Sequence, residues 1–180
     1  AAIEINRKTA TSNFRTTISL TEDGDQIEFK NEVEWYEKET LLKVAFPLAC
    51  ANDSVTYDLG LGAIKRGLNT KQKYEVPGHQ WADMTDPSRE YGVAILNDCK
   101  YGHKALGNRL DLNLLRATTH PDPDADQGAH AFTYSLLPHL GRLAASGVYR
   151  EAAKLNQGVL AIEGFAAEKA AGGPLESPCA

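Results

Sequence analysis

An alternation of apolar and charged side chains over residues 27–35 constrains the fold of this chain more than any other feature. The odd-numbered positions are Ile27, Phe29, Asn31, Val33 and Trp35, and every position between them carries Glu or Lys. A strand places successive side chains on opposite faces of a sheet, whereas a helix would scatter this pattern around its circumference. The segment is therefore predicted to be an antiparallel strand with one buried face.

Further segments of the same kind extend the prediction along the chain. Residues 22–25 (EDGD) have turn chemistry, so residues 13–20 and 26–35 are expected to form a hairpin. Strand patterns also occur at the start of the chain (AAIEIN) and at residues 41–46, 55–64, 91–97, 109–117 and 131–137. Many short strands without intervening helices predict a mainly β protein, specifically an antiparallel β-sandwich.

The last forty residues change character. Residues 147–156 carry Val148, Ala152 and Leu155 at helical spacing, which predicts one short amphipathic helix ending near Gly158. Residues 159–180 are rich in Ala, Gly and Pro at their end. The expected division is a sandwich domain at 1–141, a C-terminal helix at 142–158 and a linker-like exit at 159–180.

Composition excludes several classes of function. The net charge is −5, so a basic surface for nucleic acid is not expected. No apolar run approaches the roughly 20 residues of a membrane helix. Three widely spaced cysteines predict free thiols in a reducing, cytoplasmic compartment. The only methionine is Met84, so the chain is expected to be a piece of a longer polypeptide.

Five blocks of sequence, in order, carry a resemblance to a known family. They are residues 29–47 (FKNEVEWYEKETLLKVAFP), 74–83 (YEVPGHQWAD), 91–102 (YGVAILNDCKYG), 121–139 (PDPDADQGAHAFTYSLLPH) and 147–156 (GVYREAAKLN). In their amino-acid sequences and in their order along the chain, these blocks resemble the C-terminal β-domain of glycoside hydrolase family 38, the α-mannosidases. They are most similar to the cytosolic and bacterial branch of that family.

The resemblance implies an activity for a larger protein rather than for this chain alone. Family members are retaining, zinc-dependent enzymes that hydrolyse terminal α-linked mannose from oligosaccharides. Their zinc ligands and nucleophile belong to an N-terminal catalytic barrel with no counterpart here, so the zinc is expected outside this segment. The implied partners are that barrel and a mannose-containing oligosaccharide, and the chain alone is expected to be inactive.

His79, Trp81 and Asp83 form the first candidate site. On a strand these alternate positions share a face, so an imidazole, an indole and a carboxylate could form a platform of the size of a sugar. The alternative is a packed Trp81, with His79 and Asp83 bonded to nearby backbone. His79 and Asp83 make a weak zinc pair because no third ligand has suitable spacing.

The acidic loop at residues 120–130 (HPDPDADQGAH) is the second candidate. It lacks the spacing of an EF-hand, and three aspartates on one loop are a poor match for the two opposed carboxylates of a glycosidase. In Golgi and lysosomal relatives an Asp-Arg-Gly pattern here reaches over the active site. This chain has Asp126-Gln127-Gly128, which resembles the cytosolic branch, so Asp124, Asp126 and Gln127 are candidate substrate contacts. A solvated turn is the alternative.

Two other readings stay open. Cys99 and His103 suggest a nucleophile pair, with Lys100 lowering the thiol pKa, but a strand-to-turn transition explains these residues as well. At the level of the domain, the alternatives are a carbohydrate-binding module that uses Trp81 and a purely structural domain that forms homo-oligomers through exposed apolar surface.

Overall fold

The computed structural model describes residues 1–20 and 24–158 of the chain. Its strands are β1 Ala2–Lys8, β2 Asn13–Leu20, β3 Ile27–Trp35, β4 Leu41–Pro47, β5 Ser54–Asp58, β6 Ala63–Gly67, β7 Val76–Pro77, β8 Trp81–Asp86, β9 Tyr91–Asn97, β10 Gly102–Leu106, β11 Arg109–Arg116 and β12 Gly128–Leu140. A short 3-10 helix, Leu143–Ala145, precedes the helix α1, Val148–Asn156.

The strands form two sheets of unequal size that face each other. The large sheet has eight strands in the order β1-β2-β3-β12-β9-β8-β5-β6, and the small sheet has four in the order β4-β11-β10-β7. The paired strands of the described part run antiparallel. The mainly β prediction and the antiparallel sandwich are confirmed.

The main core lies between the two sheets, where the alternation of the sequence predicts it. Val33 and Trp35 of β3 are buried there, and they share this cluster with Leu110 and Leu112 of β11. Three aromatic rings bridge the layers, with the ring centroids of Phe29 and Tyr134 5.1 Å apart and those of Phe29 and Phe46 5.6 Å apart.

A second, smaller core lies on the outer face of the large sheet. The helix α1 buries Val148 and Ala152 against strand residues of that face, and these are Trp81, Ala94, Leu96 and Leu137. Gly147 precedes the helix with a φ of 76°, a left-handed conformation that costs a glycine little. The predicted C-terminal helix is confirmed, with Leu155 half-buried beside it.

One strand prediction is wrong. Residues 55–64 are two strands, β5 and β6, because the chain reverses at Leu59, whose N–H donates to the carbonyl of Gly62 at 2.8 Å. Gly60 takes a φ of 84° in this turn. The residues beyond 158, including Cys179 and the predicted exit, lie outside the described part of the chain, as do positions 22 and 23 of the predicted turn. The domain division at residue 141 stays a prediction.

Candidate functional site

Five connections between strands meet at one end of the sandwich, which we call the loop end. They are residues 36–40, 59–62, 78–80, 98–101 and 117–127. Antiparallel pairing puts them together, because β3, β5, β7, β9 and β11 all finish there and the strands that follow all start there. Five of the six predicted site residues, all except Asp83, lie in these connections or in the first residue of the strand that follows.

Hydrogen bonds hold the acidic loop at this end against a neighbouring connection. The Gln127 side-chain amide donates to the carbonyl of Glu37 at 2.6 Å, and the Glu39 N–H donates to the carbonyl of Ala117 at 2.7 Å. Asp126 accepts a hydrogen bond from the Arg116 N–H at 3.1 Å. These contacts hold residues 117–127 against residues 36–40, so the loop presents its exposed carboxylates in a defined position.

Asp124 and Asp126 are exposed, and their surroundings differ. Asp124 lies 3.5 Å from the Lys38 ammonium group. Both side chains are exposed, and an exposed ion pair contributes little to stability. Asp126 has a φ of 62°, an uncommon conformation for a residue other than glycine. Its carbonyl oxygen lies 2.7 Å from the Nε2 atom of His130, so the imidazole helps to hold the turn.

Behind Asp126 lies an open cleft of about 330 Å³. Its wall residues come from separate parts of the sequence and include Glu75, Tyr101, Asn113, Arg116, Asp126 and His130. Lys100 also lines it, with its ammonium group 4.4 Å from the centre of the Phe132 ring. The sequence singled out the acidic loop and, separately, Cys99 and Lys100, but no local pattern links these residues to one another or to Glu75 and Asn113.

Glu75 is the most constrained charge in the cleft. Burial opposes its ionisation, but hydrogen bonds from the Lys43 ammonium group and the Asn113 amide lower the pKa of Glu75 below its usual value. Glu75 is therefore ionised at neutral pH. Gly102 allows Asn113 to come close, because a Cβ at that position would lie 2.5 Å from the Asn113 Nδ2 atom.

The predicted platform of His79, Trp81 and Asp83 does not form an exposed surface. Trp81 is 3% exposed and lies under α1, with its ring centroid 5.0 Å from that of Tyr149. Asp83 is 2% exposed. Its carboxylate accepts a hydrogen bond from the Thr85 hydroxyl at 2.6 Å and lies 2.7 Å from the Nε2 atom of His139. His79 alone is exposed, edge-on to the Tyr101 ring at 5.7 Å. The packed alternative therefore describes Trp81, whereas Asp83 is bonded to the side chains of Thr85 and His139 rather than to backbone. Sugar binding by the three residues stays a prediction.

The hypothesis of a Cys99–His103 nucleophile pair meets two obstacles. Partial desolvation and the neighbouring Asp98 raise the pKa of Cys99 to about 11, outweighing the opposite effect of Lys100. The thiolate that such a nucleophile needs is thus scarce at neutral pH. His103 is 1% exposed, and burial, with a smaller contribution from Arg66, lowers its pKa to about 4. Its imidazole is neutral and enclosed rather than positioned at the surface.

Two further properties concern the described residues as a whole. Within 1–20 and 24–158, no group of three or more His, Cys, Asp or Glu side chains is arranged to hold a metal ion. These described residues therefore do not fit a zinc site. In the same part of the chain, no helix has the length and apolar character needed to cross a membrane.

Comparison with known proteins gives consistent matches. The family model "Glycosyl hydrolases family 38 C-terminal domain" matches residues 1–124. Alpha-mannosidase 2C1 of Mus musculus is 40% identical over 141 residues, which cover 76% of this chain and 13% of that protein. Alpha-mannosidase G of Dictyostelium discoideum is 39% identical over 145 residues, which cover 78% of this chain and 13% of that protein.

The fold also has a counterpart among solved structures. An alpha-mannosidase from Enterococcus faecalis V583 superimposes with a TM-score of 0.69 at 17% identity, over 78% of this chain and 17% of that one. At this identity the likeness concerns the fold. The chain spans about 13% of the length of the curated relatives that it matches.

Proposed function

This chain belongs to the C-terminal domain family of the family 38 glycosyl hydrolases, and we propose that it serves as the β domain of an α-mannosidase. The observation that carries the proposal is the family match over residues 1–124, together with 39–40% identity to proteins named as α-mannosidases. The reaction is hydrolysis of terminal α-linked mannose from oligosaccharides, with retention of configuration.

In this proposal the chain supplies a scaffold and one edge of the substrate site, and the chemistry belongs to a catalytic barrel elsewhere in the same polypeptide. A retaining glycosidase needs two carboxyl groups about 5 Å apart on either side of the scissile bond. The exposed aspartates of the acidic loop belong to a single connection between strands, so they suit contacts to sugar hydroxyls better than bond cleavage. The zinc ion that the resemblance implies is proposed to lie outside this chain.

Asp124, Asp126 and Gln127 are the residues proposed to lie near the substrate. The support is their common place on a fastened loop, with both carboxylates exposed. Trp81 and Asp83 are given a structural role instead, because α1 and His139 cover them. His79 stays at the margin of the site through its contact with Tyr101.

Two finer assignments belong to the same proposal. A cytoplasmic location is proposed because Cys50 and Cys99 form no disulfide in the part of the chain that the structure describes, as suits a reducing compartment. A place in the cytosolic and bacterial branch is proposed because Gln127 stands where Golgi and lysosomal relatives have arginine.

The test compares an α-mannosidase polypeptide of the relatives' length that contains this sequence with the 180-residue chain alone. We expect the longer protein to hydrolyse an aryl α-mannoside and to lose this activity with a zinc chelator, and the chain alone to be inactive. In the longer protein, Gln127→Ala should lower kcat/KM by about tenfold, which corresponds to about 1.4 kcal/mol of transition-state stabilisation.

Gln157→Ala is the matched control, because Gln157 is exposed beyond the end of α1 and lies outside the loop end. An inactive longer protein, or turnover by the chain alone that survives the chelator, would refute the proposed division of labour. Equal effects of the two glutamine substitutions would refute the role of the loop.

A further inference from the structure

We propose that the cleft behind Asp126 binds a single neutral pyranose, with Tyr101 as its aromatic wall. The choice of mannose as the pyranose to test rests on the proposed function, whereas the cleft itself is argued from its own chemistry. Tyr101 is 57% exposed and can meet a sugar, whereas Trp81 is buried.

The size of the cleft limits its occupant. Ligand pockets in proteins usually measure about 300–1,000 Å³. The cleft, at about 330 Å³, lies at the lower limit of this range. It therefore suits one sugar ring better than an extended oligosaccharide.

The charges in the cleft favour a neutral ligand. Its walls carry two carboxylates, Glu75 and Asp126, and two cations, Lys100 and Arg116. The carboxylate of Glu75 is already paired with Lys43, and Lys100 lies over the Phe132 ring. A phosphate or a metal ion would meet charges of both signs, so neither is favoured over a neutral ligand.

The hydrogen-bonding groups of the cleft match sugar hydroxyls. Each hydroxyl both donates and accepts, and the cleft offers carboxylate acceptors in Glu75 and Asp126 beside donors in Lys100 and Arg116. Tyr101 adds an aromatic ring with a polar end, a residue type suited to a surface that is apolar on one side and wet on the other. Few well-placed polar groups around an aromatic wall are typical of small-molecule sites.

The backbone around the cleft keeps this arrangement in place. Tyr101 is tied to the neighbouring strand, because its carbonyl accepts from the Gly78 N–H at 3.0 Å. Glu75 is held from two sides by Lys43 and by Asn113, the latter at 2.9 Å. Groups positioned in advance lose little conformational freedom when a ligand binds.

The experiment is a titration of the 15N-labelled 180-residue chain with methyl α-D-mannopyranoside, followed by amide chemical shifts. We expect saturable shifts in residues 98–102 and 126–130, with a dissociation constant on the order of 1 mM or weaker, as suits a ligand of this size. Tyr101→Ala should weaken binding at least about tenfold, which corresponds to about 1.4 kcal/mol.

Tyr36→Ala is the matched control, because Tyr36 is 50% exposed in the neighbouring 36–40 connection and does not line the cleft. It should leave the dissociation constant unchanged. Absence of saturable shifts, equal weakening by both tyrosine substitutions, or the same shifts with inorganic phosphate would each overturn the proposal. Binding here with no α-mannosidase activity in the longer protein would refute the proposed function alone, and the reverse result would refute the subsite alone.

Discussion

At the scale of single residues, His103 makes the folding stability of the sandwich depend on pH. Its imidazole is buried near the Tyr57 ring, at 5.7 Å between centroids, and its two nitrogens have no hydrogen-bond partner in the described part of the chain. Burial lowers its pKa to about 4, whereas an unfolded histidine has a pKa of about 6.5. Between these two values the unfolded chain binds the additional proton, so stability falls as the pH falls through this window.

We therefore expect wild type to lose about 2 kcal/mol more than His103→Phe in the free energy of unfolding between pH 7 and pH 4.5. Urea denaturation of both proteins at both pH values measures this difference. Other titrating groups are common to the two proteins and cancel in the comparison. Equal losses in the two proteins would contradict the assignment of this pH dependence to His103.

At Gly92, the packing around the backbone leaves no space for a larger side chain. It lies in register between His139 and Thr85, and a Cβ there would lie 2.5 Å from the His139 Cε1 atom and 2.9 Å from the Thr85 Oγ1 atom. The His139 ring cannot move away freely, because its Nε2 atom is 2.7 Å from the buried Asp83 carboxylate. Gly92→Ala should therefore destabilise the chain by about 2 kcal/mol through overpacking.

Gly62→Ala provides the control for this change, because no atom lies within 4 Å of a Cβ at position 62. Its effect should stay within about 0.5 kcal/mol. Thermal or urea unfolding of both variants gives the comparison, and similar losses at the two glycines would show that the crowding around His139 does not matter.

At the scale of strands and helices, the sequence predicts an element well when one of its faces is buried. The strand β3 keeps this alternation, because Asn31, Val33 and Trp35 on one face are buried while the glutamates between them are exposed. The strand β8 is buried on both faces, between the small sheet and α1, so its six residues WADMTD show little alternation. The hairpin at 54–67 was mistaken for one strand because its apolar pattern continues through the turn.

The candidate site also has one part that the sequence predicts and another that it does not. The acidic loop was recognisable because its prolines and aspartates are adjacent in sequence. The cleft beside it combines residues of several segments, such as Glu75, Tyr101 and Asn113, which only the pairing of the strands brings together. The sequence left Trp81 open between an exposed platform and a packed residue, because α1, more than 60 residues later in the chain, is what covers it.

At the scale of the whole molecule, the unequal sheets leave an apolar overhang. The small sheet has four strands, and its edge strand β4 faces β3, where Phe46 meets Phe29. The strands β1 and β2 extend beyond it, so among the described residues the small sheet does not cover the side of them that continues the core face. Ile3 and Leu20 lie on that side with 66% and 48% exposure, and Ile18 pairs with Ile3 beside them.

Exposed apolar area of this kind favours association, so we expect the 180-residue chain to self-associate through the overhang as its concentration rises. The double substitution Ile3→Lys/Leu20→Lys should keep it monomeric in sedimentation velocity. Leu61→Lys/Leu106→Lys is the matched control, because both leucines are at least 50% exposed elsewhere and the change in net charge is the same. If the control substitutions also abolish association, charge repulsion rather than the overhang is the cause. A wild-type chain that stays monomeric would show that the uncovered face is too small to bind a second copy.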